Sequence, residues 1–367
     1  MMAVAALHSD GRFGAHVRNQ LTPDNPIMMK STCNKLVLAT ALAVTSAAWA
    51  QTVDKAMAAY SQKNFSSAFS MAAPLAAKGD PAAQFMLGVM HYRGEGTPVD
   101  PGKAVQWYRK AAAQGHAMAQ SNLGKMLEDG LGAPKDDVEA VAWFRKAAEQ
   151  GLAGAQTNLS IHYYTGKGVD RDPGQAFTWA RKAAEQNDPK AQFNLANLYF
   201  DGLGTAKDEK AGLAWLRKSA NAGHTGAQHN LALRYAEGRG VPPDLAQAHA
   251  WYRKAAELGD AGAQNNLAMS YNKGLGVAKN EQEGAKWLRK AAEQGLDVAQ
   301  NGLGYAYIAG AGVPANPETA YFWWLLASAQ GNKPGTANRD RVAPSLSAAQ
   351  RAKIQAAAAA WRPSVAR

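Results

Sequence analysis

The chain has 367 residues, a formal net charge of +11 and 47% hydrophobic residues, at a mean hydropathy of −0.35. It is long enough for a large core and too polar for a multispan membrane protein. Its one cysteine, Cys33, excludes a disulfide framework, and the rest of the chain has no thiolate for a metal site.

Residues 1–28 carry no targeting logic and read as foreign or disordered, with Met28 or Met29 the better start. Met29-Lys30 and Lys35 then form a basic beginning, Leu36–Thr45 an apolar run, and Ala48-Trp49-Ala50 small residues at the cleavage-determining places. This is the layout of a signal peptide over residues 29–50, with Gln51 the first mature residue. The run is too short for a transmembrane helix; a retained hydrophobic N-terminal helix is the alternative. Cys33 precedes the apolar run, so it does not match a lipid-attachment site. Export, periplasmic or secreted, would leave a thiol-free chain, which suits an oxidising compartment. The first 50 residues hold four Lys/Arg and two Asp/Glu, so the remainder keeps a charge of +9. That excess attracts anionic partners. Export argues against nucleic acid and leaves acidic proteins, anionic polysaccharide or a lipid surface.

Residues 52–80 (Ala56, Ala59, Tyr60, Phe65, Ala68, Phe69, Leu75) read as a degenerate helical pair, an N-terminal cap on a longer array. From Pro81 a 36-residue step takes over. Gln84, Gln120, Gln156, Gln192, Gln228, Gln264 and Gln300 each come directly after an Ala; Trp107, Trp143, Trp179, Trp215, Trp251, Trp287 and Trp323 keep the same step. So do the glycines from Gly96 to Gly312, and seven units fill residues 81–332 without an insertion. A fixed period of this length marks a solenoid, in which each unit covers its neighbour's apolar face. Such a fold offers a long surface rather than one deep pocket.

Each unit predicts two helices. Helix A, for instance from Pro189, buries Ala191, Leu195 and Tyr199 at i, i+4, i+8. Helix B begins at a cap (Asp100, Asp136, Asp172, Asp208, Asp244, Asn280, Asn316) and closes on Gly, or on Asn187. Glu139, Gln175, Gln247 and Glu283 stand three residues after their caps, as in a capping box. Past the repeats, residues 333–346 read as a polar loop. Ser347 with Gln350 starts a C-terminal capping helix over 347–361.

The string Ala-Gln-x-Asn-Leu-small, a Tyr four places on, Gly-x-Gly-Val, then Lys-Ala-x-x-Trp-x-Arg-Lys-Ala-Ala-Glu-Gln-Gly resembles the Sel1-like repeat, a relative of tetratricopeptide repeats. The resemblance implies an all-α right-handed superhelix and a bacterial interaction scaffold that holds a partner protein in its groove. It also implies that helix A lines the concave side.

No residue pattern announces catalysis. The histidines lack metal-ligand spacing, there is no nucleophile elbow, and the periodic carboxylates are caps. No cofactor, metal site or catalytic residue is expected. The Trp column reads as core, and the six Arg-Lys pairs from Arg109-Lys110 to Arg289-Lys290 as a solvated helix end, with an anion-binding ridge as the alternative. The functional lead is the Asn column: Asn122, Asn158, Asn194, Asn230 and Asn266. An amide donates and accepts, so such a ladder suits the backbone of an extended peptide; a tie between helix A and a neighbouring loop is the structural alternative. The expected groove continues through Lys125, Ile161, His162, Asn197, Leu233, Arg234, Met269 and Tyr305. The reading is a non-catalytic envelope scaffold for a protein or extended peptide, an acidic one fitting the charge. A cell-wall or polysaccharide binder is the second reading and a cell-wall hydrolase the third.

Overall fold

The computed structural model describes residues 46–364, with side chains from Val53 onward. The described residues form 18 α-helices and no strand. A leading pair, α1 (Ser46–Ser61) and α2 (Phe65–Ala77), precedes seven hairpins of 13-residue helices. The A helices are α3 (Pro81–Arg93), α5 (Ala117–Asp129), α7 (Ala153–Thr165), α9 (Pro189–Asp201), α11 (Thr225–Glu237), α13 (Ala261–Lys273) and α15 (Asp297–Ala309). The B helices are α4 (Pro101–Ala113), α6 (Asp137–Glu149), α8 (Pro173–Glu185), α10 (Glu209–Asn221), α12 (Leu245–Glu257), α14 (Glu281–Glu293) and α16 (Pro317–Ala329). Each packs on the helix before and the helix after it in the chain, which makes the array a solenoid. Residues 1–28 and most of the signal segment 29–50 lie outside the described residues; from Ser46 the backbone is helical through the Ala50–Gln51 junction.

The local chemistry is that of the caps. All seven predicted B-helix caps accept a backbone N–H from three residues on, for example Ala211 N to Asp208 at 2.8 Å. Asn187 takes the left-handed conformation at φ +66°, as Gly does in the other units. The reciprocal capping box forms at Ser347–Gln350. Inside the repeats the side chain of Glu139 is drawn instead to Arg109 and Trp143, and that of Glu283 to Lys286.

The core is built from the small and branched columns. Ala119, Ala155, Ala191, Leu123, Leu159 and Leu195 are fully buried. Glycine meets a large ring in three units: a Cβ at Gly88, Gly124 or Gly304 would enter the ring of Tyr108, Phe144 or Trp324, while Ala232 packs in one cluster with Tyr252. Where the facing residue is Leu216 or Leu288, Ala196 or Ala268 fits. The Trp column is only partly core. Trp323 is buried, but Trp107 through Trp287 are half-buried, each with a lysine three residues on lying 3.9–4.3 Å from the ring centroid. The ring packs inward and the ammonium covers its outer side, a cation–π contact along a half-open surface.

The Gln column is buried and is a structural tie. In each unit Nε2 donates to the carbonyl eight residues back, on the preceding helix, as from Gln156 to Ala148 O at 3.1 Å. Five of the seven Gln Oε1 atoms accept a second bond from a Gln 30 residues on: Gln114, Gln150, Gln186, Gln294 and Gln330, at 2.7–2.9 Å. In the fourth and fifth units that place is Ala222 and Leu258, and Oε1 of Gln192 and of Gln228 is buried without a partner among the described residues. Leu258 is also 57% exposed. Restoring the donor with Ala222→Gln or Leu258→Gln should raise stability by about 1 kcal/mol each, the net worth of a hydrogen bond to an otherwise unsatisfied group. Urea midpoints compared with the parent check this; an unmoved midpoint for both would mean that the orphan oxygen costs nothing.

The segment 333–346 is not a loop. It forms α17 (Lys333–Val342) and a short 3-10 turn (Ala343–Ser345). Asn332 caps α17 through Gly335 N at 2.8 Å, and Pro334 opens it. Lys333 stands 36 residues after Asp297, so α17 occupies the place of an eighth helix A, and Asn338 falls in the Asn column, 4% exposed. The segment's polarity hid a helix whose buried side is made of Gly335, Asn338 and Val342. A final helix, α18 (Ala348–Ala360), packs on α16. At the other end Asn64 caps α2 one period before Asp100, so the N-terminal pair keeps the register of the repeats.

Candidate functional site: the face of the A helices

The exposed side of helix A is set by what its neighbours cover. Five columns of the repeat are buried: Ala191, Gln192, Leu195, Ala196 and Leu198 in α9, with their equivalents save the half-buried Arg234. On a helical wheel of 100° per residue their opposite is the position of Asn197. That position reads Val89, Lys125, Ile161, Asn197, Leu233, Met269 and Tyr305; the first six are half-exposed and Tyr305 is 46% exposed. Beside it lie Phe85 and Phe193, Lys190, and the last-turn residues Arg93, Asp129 and Asp201.

The Asn column sits about 60° from that centre, at the edge of the open side. Asn194 and Asn266 are buried, at 8% and 7% exposure, and Asn122, Asn158 and Asn230 are half-buried. The ends of the column are engaged: Asn122 sits beside the Tyr108 ring and interacts with it, Asn266 Nδ2 lies 3.1 Å from His229 Nε2, and Asn338 bonds Asn301 and Tyr305. Its middle is not. Asn158 and Asn230 make no side-chain hydrogen bond among the described residues, and Asn194 Nδ2 is buried without a partner.

Two expected groove residues do not belong to the open face. His162 is 2% exposed; its Nδ1 lies 2.7 Å from Lys167 O and its ring packs on Phe144. Arg234 lies over the Phe200 ring at 3.3 Å and bonds Glu209 at 3.0 Å and the Arg239 carbonyl at 3.3 Å. Both occupy the place after Asn197's, about 100° round the helix, where the adjoining loop covers them.

Charge concentrates where α5, α7 and α9 meet. Lys125 Nζ reaches Glu128 at 3.1 Å and Asp129 at 2.7 Å, and Lys167 bridges Glu128 and Asp137 at 3.4 and 3.2 Å. Burial opposes ionisation of Glu128, but Lys125, His162 and Lys167 outweigh it and hold the carboxyl below its ordinary value. Lys190 is solvent-accessible yet crowded by protein. Desolvation, then the Lys125 charge, lowers its pKa, and no carboxylate lies within ion-pair distance of it among the described residues. Lys190, Phe85, Phe193 and Glu128 are the residues that sequence reasoning missed. The signal was present: the wheel position opposite all five buried columns, Gln and small residue included, selects this side.

Residues just before the A helices add a pH response. His116 Nδ1 accepts from Ala119 N at 3.2 Å and its ring stacks on Phe85 at 4.6 Å, so the cap requires a neutral imidazole. Burial lowers the pKa of His116, and also of His91 and His249. The folded chain therefore binds fewer protons than the unfolded one. Stability is whole above pH about 6.5 and falls as pH drops through that value towards the depressed ones. His116→Asp, the residue type of Asp188 and Asp260 at the same place, keeps the cap and should shrink the loss in urea midpoint between pH 7.5 and 5. An unchanged loss would refute a neutral-imidazole cap.

Stacked hairpins with a repetitive interior and one variable face define a repeat-array protein. The depression between residues 279–282 and 310–314 is about 600 Å³ and lies on the loops. Among the described residues no cluster of His, Cys, Asp or Glu could hold a metal, and no helix is long and apolar enough to cross a membrane. The Sel1 repeat pattern matches seven times in succession, over residues 81–116, 117–152, 153–188, 189–224, 225–260, 261–296 and 297–332, and the chain belongs to the Sel1 repeat family. Sel1 repeat proteins are generally protein–protein interaction scaffolds. Among solved structures, a Sel1 repeat protein from Oxalobacter formigenes is 31% identical, over 81% of this chain and 92% of that one, with a TM-score of 0.65. A protective antigen present in uropathogenic Escherichia coli, displaying an SLR fold, is 29% identical over 88% and 85%, with a TM-score of 0.46. No curated protein matches the chain.

Proposed function

We propose that this protein is an exported, non-catalytic scaffold of the bacterial envelope that holds an extended stretch of a partner protein along the A-helix face. One observation carries the reading. The interior repeats unit by unit, whereas the half-open position running from Val89 to Tyr305 carries a different residue in every unit. Packing explains the first and not the second, and variation along a rigid array is what recognition of one segment requires. A stiff array loses little entropy on docking a flexible chain. Export rests on the basic start, the apolar run and the Ala48-Trp49-Ala50 junction.

The polysaccharide reading is weaker because the outer faces of six tryptophans already carry lysine ammonium groups. A sugar ring would have to displace each one. The hydrolase reading is weaker because Glu128, in the richest charge cluster of the face, is held ionised by lysines and so is a poor proton donor.

Photocrosslinking side chains at Asn197 and Leu233, and at Ala142 and Ala214 on the exposed side of the B helices, test the face. One protein partner captured from the first pair and not from the second is expected. Capture from the B-helix positions alone would overturn the reading. Intact-mass measurement of the periplasmic protein should place its first residue at Gln51; a cytoplasmic protein retaining residues 30–50 would remove the export part.

A further inference from the structure

The Asn column is occupied at its ends and empty in its middle. His229 lies 3.1 Å from Asn266, Asn301 and Tyr305 bond Asn338, and Asn122 sits beside Tyr108. Between them Asn158, Asn194 and Asn230 stand on α7, α9 and α11 with no partner among the described residues, and Asn194, over nine-tenths buried, leaves its Nδ2 unsatisfied. Lys190 stands four residues before Asn194, on the same side of α9. Its neighbour Lys125 is already neutralised by Glu128 and Asp129, whereas Lys190 has no ion pair among the described residues.

We infer that the middle of the A-helix face, across α7, α9 and α11, is a receptor for an extended polypeptide segment bearing an Asp or Glu side chain, with Asn158, Asn194 and Asn230 taking its backbone and Lys190 its carboxylate. This rests on the proposed scaffold reading and narrows it to one partner chemistry. Unpaired amide donors and acceptors are sequence-tolerant clamps for peptide groups. The unpaired ammonium is not tolerant: its charge-assisted hydrogen bond selects an anion. The anion is a side chain rather than a chain terminus, because rungs lie on both sides of Lys190. A C-terminal carboxylate there would leave either Asn158 or Asn230 without backbone to hold. The surplus positive charge of the chain agrees with an acidic partner.

The test uses the full chain and two bead-displayed libraries of random heptapeptides, one acetylated and amidated at its ends, the other with a free C-terminus. Wild-type protein should select capped peptides with Asp or Glu enriched at one central position. Changing that residue to Asn or Gln should weaken binding about tenfold or more, the scale of a charged hydrogen bond. Lys190→Met, which sits on an exposed position and keeps the circular-dichroism melt, should abolish the acidic enrichment, while Arg181→Met on the B side leaves it unchanged. Asn158→Ala with Asn230→Ala should weaken all selected peptides alike. Selected peptides with no acidic preference, or with one that Lys190→Met leaves intact, overturn the carboxylate assignment while the scaffold reading stands on its crosslinking test. Selection confined to free C-termini overturns the side-chain assignment. A failure to select any peptide, alongside A-face crosslinks in cells, overturns the linear-segment receptor and leaves a folded partner.

Discussion

Gly204→Ala should lower stability by about 3 kcal/mol, and Gly240→Ala by only about 1. Both glycines hold the same place in the turn from helix A to helix B, with φ of +73° and +72°. An L-residue there costs about 1–2 kcal/mol for the left-handed backbone alone. The difference lies in the surroundings. At Gly204 an added Cβ would collide with the carbonyl of Pro173 at the start of the preceding helix B, and backbone cannot rotate aside. At Gly240 the nearest atoms are Glu209 Oε2 at 3.5 Å and Arg234 Nη1 at 3.6 Å, both at the ends of flexible side chains. Overpacking typically adds about 1–3 kcal/mol. Urea titration monitored by circular dichroism separates the two. Equal midpoints would mean that conformational freedom alone, and not the close approach of successive units, calls for glycine here.

Gln156→Leu should cost about 2 kcal/mol, and Gln228→Leu about 1. Leucine nearly matches the volume, so the cavity is small and the loss is mainly polar. Gln156 gives up two bonds, to Ala148 O at 3.1 Å and from Gln186 at 2.8 Å. Gln228 gives up one, to Ala220 O at 3.1 Å, and at the same time removes an oxygen that was already unsatisfied. Because units communicate only with neighbours, the loss at either site is felt by the hairpins on both sides. A Gln156 variant no worse than its Gln228 counterpart would show that the amide ladder does not tie the units together.

The helices were legible because their signals are local. A cap such as Asp172 and a closing glycine such as Gly223 act within one turn, and the stripe of Ala191, Leu195 and Tyr199 states which side is buried. The helix at Lys333–Val342 was not legible, because its buried side is Gly335, Asn338 and Val342, too polar for a hydrophobic stripe; only its register with the repeats betrays it. The Asn column is legible in the sequence, but not which of its members are engaged. Its residues differ in what the preceding hairpin sets against them: a tyrosine ring beside Asn122, an imidazole for Asn266, and no hydrogen-bonding group for Asn158. A wheel drawn for one helix puts His162 and Arg234 on the open face, because it leaves out the loop that covers them.

The 36-residue step, by itself, determined the number of hairpins, their caps and the identity of the core columns, since each of these depends on contacts within a unit or with an identical neighbour. Which amides are engaged and which lysine lacks a counter-ion were decided only when the hairpins stacked. The ties that settle the amides join residues 30 to 37 positions apart, and a pair's distance is set by the packing of helices rather than by the order of residues along either one.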